Sequence, residues 1–84
     1  MKIKEGFLLQ DVAGSTVVLP MEGDLNRMIT LNGTGKFLWE KLEQETTREA
    51  LIQAILDTYN VDEQIATICV DNFVAELTKY EFLA

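Results

Sequence analysis

Eighty-four residues make one small domain with room for a single core, and 48% hydrophobic content is that of a folded chain rather than a disordered one. The net charge of −7, from 14 acidic and 7 basic residues, opposes binding to phosphate backbones and anionic membranes. The absence of histidine removes the commonest general base and metal ligand. A single cysteine cannot close an internal disulfide, no apolar run nears the ~18 residues of a membrane span, and no secretory signal pattern opens the chain. A cytoplasmic location with protein or peptide partners is the expectation.

The first six residues, MKIKEG, lead into a strand over Phe7 to Val12. Ala13-Gly14-Ser15 supplies a turn, and Thr16 to Leu19 returns as the second arm of a hairpin. Pro20 cannot donate a ladder hydrogen bond, so it ends that strand or sits on an edge. Met21 to Leu25 then turns around Gly23-Asp24 into a third strand, Asn26 to Leu31. Alternation there puts Arg27, Ile29 and Leu31 on one face and Met28 and Thr30 on the other, with Ile29 and Leu31 toward the core. Three strands joined by short turns predict an antiparallel meander with the first and third strands at its edges.

At Asn32-Gly33-Thr34-Gly35 the pattern changes from β to α. Asn32 is an N-cap candidate, and the glycines suit close packing between strand and helix better than a phosphate cradle, whose spacing they lack. Phe37, Leu38 and Leu42 form a short apolar stripe with Trp39 beside it as a partly buried residue. After the polar Glu43-Gln44-Glu45, Thr46-Thr47-Arg48-Glu49 predicts a capping box with Thr46 as N-cap and Glu49 reaching back. Leu51, Ile52, Ile55, Leu56 and Tyr59 then mark one face of a helix, which Asn60-Val61-Asp62 breaks.

Asp62 caps the last and longest helix, Glu63 to Lys79. Its core face holds Ala66, Cys69, Val70, Phe73, Leu77 and Tyr80, with Ile65 and Ile68 on one flank and Val74 on the other. Phe82 and Leu83 are expected to pack back on the core. No catalytic constellation assembles. Cys69 lies mid-helix on the apolar face with no histidine to activate it, and reads as a buried, inert thiol. Glu40, Glu43, Glu45 and Glu49 lack the alternating oxygen-ligand pattern of a calcium loop and read as a solvated face. An enzyme, a metal site and a bound cofactor are therefore not expected. The fold class is α+β, a small three-stranded antiparallel sheet followed by three helices, winged helix-turn-helix-like, in one domain of a β meander (1–31) and a helical part (32–84). DNA binding by such a fold is opposed by Glu63, Asp71 and Glu76 against Lys79 alone on the last helix.

The ordered series Leu31-Asn32-Gly33-Thr34-Gly35, Phe37-Leu38-Trp39, Thr46-Thr47-Arg48-Glu49, Tyr59-Asn60-Val61-Asp62 and then Val70, Asp71, Phe73, Leu77, Phe82 and Leu83 resembles the PqqD-like family over nearly the whole chain. That family comprises the pyrroloquinoline-quinone (coenzyme PQQ) biosynthesis protein D and related recognition elements for ribosomally made, modified peptides. Glu81 departs from it, standing where the family often has glycine.

The resemblance implies a non-catalytic peptide chaperone. It would capture the leader segment of a precursor peptide by strand addition and present it to a modifying enzyme, often of the radical S-adenosylmethionine type. The implied cleft lies between the third strand and the third helix. Its expected peptide-binding residues are Arg27, Met28, Ile29, Thr30 and Leu31 from the strand, with Ile65, Ile68, Cys69 and Asn72 from the helix. A homodimer is compatible with an open edge. The competing reading is a winged-helix adaptor or transcriptional regulator without a peptide substrate.

Overall fold

The computed structural model describes residues 1–21 and 28–84. The expected turn over Glu22 to Leu25, and Asn26 and Arg27 of the expected third strand, lie outside these residues. The order is β1 (Phe7–Val12), β2 (Ser15–Pro20), β3 (Ile29–Leu31), α1 (Gly33–Leu42), α2 (Arg48–Thr58) and α3 (Glu63–Lys79).

The hairpin closes at Val12↔Ser15 through two residues, Ala13 at φ 51 and Gly14 at φ 84. Both are left-handed, as a type I′ two-residue turn requires, and the twist of such a turn matches that of the strands. Pairing runs from Phe7↔Pro20 to Val12↔Ser15, so Pro20 closes β2. On the other side of β2, Thr16 pairs with Leu31 and Val18 with Ile29. The sheet is thus the expected antiparallel meander, with β1 and β3 as its edges. Of the expected third strand, Ile29 to Leu31 are in the ladder, whereas Met28 lies outside it and is exposed.

Phe7, Leu9, Val18, Ile29 and Leu31 face the helices, around a fully buried Val18. Helix α1 contributes Leu38, Trp39 and Leu42, and Trp39, at 2% exposure, is wholly in the core rather than partly buried. Phe7, Trp39 and Phe82 meet edge to face, Phe7 lying 4.7 Å from Phe82 and 6.4 Å from Trp39. Such T-shaped contacts align ring edges with the negative faces of neighbouring rings. Phe37 sits outside this cluster and packs on Tyr59 at 5.6 Å.

Asn32 caps α1 as its side chain implied, accepting from the Gly35 N–H at 2.7 Å. Only the second glycine is a packing glycine. A Cβ at Gly35 would lie 3.2 Å from Asn32 Oδ1, 3.4 Å from the Phe73 ring and 3.5 Å from Leu31 Cβ, whereas one at Gly33 would meet nothing.

The cap of α2 differs from the expected capping box. Thr47, not Thr46, accepts from the Ala50 N–H, at 3.1 Å. Thr46 is committed elsewhere, its N–H donating to the Met1 carbonyl at 3.0 Å. That bond belongs to a lacing that the sequence left unread. Ile3 donates to the Leu42 carbonyl, Lys4 to that of Phe82 and Ala84 to that of Lys2, each at 2.8 Å. Ile3 bridges Leu83 and is itself buried, so the lead-in also anchors to the core through Ile3.

Asp62 caps α3 by accepting from the Ile65 N–H at 2.8 Å. The helix ends in a Schellman motif. Phe82 N–H donates to the Leu77 carbonyl at 2.9 Å and Glu81 N–H to that of Thr78 at 3.1 Å, with Glu81 at φ 60. The motif turns the chain so that Phe82 drops into the core beside Leu77, both fully buried.

Candidate functional site

The outer edge of β3 and the adjoining face of α3 enclose a cleft floored by the start of α1. One end is lined by Thr30, Leu31, Asn32, Gly35, Phe73 and Glu76. The larger part, about 290 Å³, continues past Thr34 and Leu38 to Cys69 and Asn72. Gly35 suits this close approach, since a Cβ there would crowd the Asn32 cap oxygen and fill the space up to contact with Phe73 and Leu31. An edge strand leaves main-chain N–H and C=O groups pointing away from its one partner, and these are the groups an added strand would pair with.

Of the residues the sequence nominated, Thr30, Leu31, Cys69 and Asn72 come together in this cleft. Ile29 is not among the lining residues and packs against the core. Met28 lies just before the strand with half its surface exposed, and Arg27 is outside the described residues.

Ile65 and Ile68 are not among the residues that line the cleft, yet they are 47% and 50% exposed. At about 100° per residue, Ile65 falls between Cys69 and Asn72 on the helix circumference, with Ile68 about 40° beyond Asn72. They continue the cleft wall toward the start of α3. Val74, on the opposite flank, packs against the core.

Cys69 is half-buried rather than buried, a thiol on the cleft wall. Sequence reasoning missed Asn32, Thr34, Gly35, Leu38, Phe73 and Glu76 as lining residues. The available signal for Glu76 was its spacing, four residues after Asn72 and seven after Cys69, which returns to the same helical face.

Away from the cleft, Arg48 makes a two-pronged contact with Asp71, Nε to Oδ1 at 2.7 Å and Nη2 to Oδ2 at 2.9 Å, tying α2 to α3. Hydrogen bonding to Arg48 is the main cause that lowers the Asp71 carboxyl below its ordinary range. Among the described residues, no three carboxylate or thiol side chains gather as a metal site, and no helix is long and apolar enough to cross a membrane.

A meander whose β3 edge lies across a cleft from the last of three helices defines a small winged-helix-like recognition fold. Residues 15–83 match the family model described as coenzyme PQQ synthesis protein D (PqqD), and the chain belongs to that family. Among solved structures it is similar to TbiB1 in complex with the TbiA(beta) leader peptide, at 25% identity and a TM-score of 0.78, over 99% of this chain and 94% of that one. It also shares its fold with a lasso peptide synthetase B1 complexed with the leader peptide, at 16% identity and a TM-score of 0.72, over 93% and 89% of the two chains. No curated protein sequence matches.

Proposed function

We propose that the chain is a non-catalytic partner protein that binds the leader segment of a ribosomally made precursor peptide along β3 and presents it to a modifying enzyme. The observation that carries this is the open β3 edge facing α3 across a cleft, in a fold whose 25%-identical neighbour is a leader-peptide complex. Main-chain hydrogen bonds from the edge strand supply affinity that tolerates sequence change, and pockets for alternate side chains supply selectivity. Ordering a flexible leader costs conformational entropy, so binding is reversible and suits a carrier that hands its cargo on. Thr30, Leu31, Cys69 and Asn72 line the docking surface, Met28 and Ile29 contribute backbone, and Ile65 and Ile68 extend the wall. The modifying enzyme is of the radical S-adenosylmethionine type, and the setting is cytoplasmic. A homodimer would have to leave β3 free for the leader.

Glu63, Asp71 and Glu76 on α3 disfavour the regulator reading, since a duplex would meet net negative charge there. The test is titration with the leader peptide encoded beside this gene, followed by amide NMR shifts. Shifts are expected at residues 28–31 and along α3 from Ile65 to Glu76. Shifts confined to α2 or the far edge of the sheet would overturn the reading.

A further inference from the structure

Among the described residues the cleft has one charged side chain in its lining, Glu76, which borders both of its parts. No cation among the described residues pairs with it. The cations on the flanking helices are engaged elsewhere, Lys36 with Asp11 at 3.9 Å and Lys79 over the Tyr80 ring at 5.7 Å. An incoming strand would therefore meet an unneutralised carboxylate at one end of the cleft, on a molecule of net charge −7. Toward the start of α3 it would meet the exposed Ile65 and Ile68.

Ile68 and Glu76 lie about two helical turns apart, roughly 12 Å along the axis. About four residues of extended peptide span that distance. In a strand, residues four apart point to the same face, so one peptide can present both side chains to α3 at once.

We propose that the segment selected by this cleft carries a lysine or arginine that meets Glu76, about four residues from a large apolar side chain that meets Ile65 and Ile68. This rests on the docking reading above and adds to it the chemistry of the cargo. A negative segment would bring like charge against Glu76, and a uniformly polar one would leave the two isoleucines uncovered.

The test selects binders from a random dodecapeptide display library on the wild-type protein and, separately, on Glu76→Lys. Alkylation of Cys69, the chain's single thiol, reports whether a selected peptide occupies the cleft. Wild type is expected to enrich a basic residue at the stated spacing from an apolar one, and Glu76→Lys to replace the basic residue with an acidic one. Exchanging the basic residue for glutamine should weaken binding to wild type by up to about fivefold, the range of an exposed ion pair. The same exchange should leave binding to Glu76→Gln unchanged. Peptides that shield Cys69 but are indifferent to the exchange would overturn the proposed chemistry and leave the docking reading standing. Peptides that leave Cys69 unshielded, or a selection that retains none, would overturn both.

Discussion

Glu81 holds a left-handed backbone at φ 60 because the Schellman turn requires it, and a residue with a Cβ is strained there. Replacing it by glycine, the residue the family often carries, should stabilise the fold by about 1 kcal/mol. For a domain of this size that is a rise in melting temperature of roughly 4–8 °C, readable by circular dichroism. Asp71 gives a second residue-scale prediction. Its carboxyl is lowered in the folded state, so its contribution is complete above the unfolded carboxylate value and is lost as pH falls through the lowered one. The melting-temperature gap between wild type and Asp71→Asn should be present at neutral pH and close in strong acid. A gap that widens on acidification would contradict the sign. Both partners are solvent-exposed, which keeps the gap small at any pH.

Among elements, α2 separates two adjacent threonines by role. Thr47→Ala removes the side chain that accepts from Ala50 and should cost about 1 kcal/mol in chemical denaturation. Thr46 acts through its backbone, so Thr46→Ala should cost much less. This is where local signals fail. Thr46 has the capping-box spacing to Glu49, yet Thr47, three residues before Ala50, is the cap, while the Thr46 N–H is held by Met1, far away in sequence. Elements fixed by their own residues were legible: the bounds of β1, and α3 from its Asp62 cap to Lys79, follow from alternation, periodicity and capping chemistry. The lacing of residues 1–4 was not, since an isolated bridge leaves no periodic trace. The cleft was legible by halves. Strand edge and helix could be paired by resemblance, but the parts played by Gly35, Phe73 and Glu76 depend on how α1 sits between them. For β3 itself, Thr30→Pro should weaken leader binding at least about tenfold by removing an edge donor and clashing with an added strand. Met28→Asp, outside the ladder, tests the same edge without touching its hydrogen bonds. Unchanged affinity in both variants would count against strand addition.

At the scale of the whole molecule, the sheet and the helices share one core, in which Val18, Leu42, Leu77 and Phe82 are fully buried. The cleft lies at the margin of that core, where its strand is shortest. β3 spans three residues and, among the described residues, takes its ladder from β2 alone. A margin so lightly held opens locally before the core does. A peptide laid along it would turn the margin into an interior strand, so that occupancy and local order become one linked equilibrium. Cargo at a hundredfold excess over its dissociation constant would add roughly 2.7 kcal/mol against any opening that releases it. Amide hydrogen exchange should register this as selective slowing at Ile29, Thr30 and Leu31, with little change in the middle of α2. Uniform slowing throughout would instead mean that β3 opens only when the whole domain does. On the linked view the cargo is also a brace, and the carrier is most ordered when it is loaded.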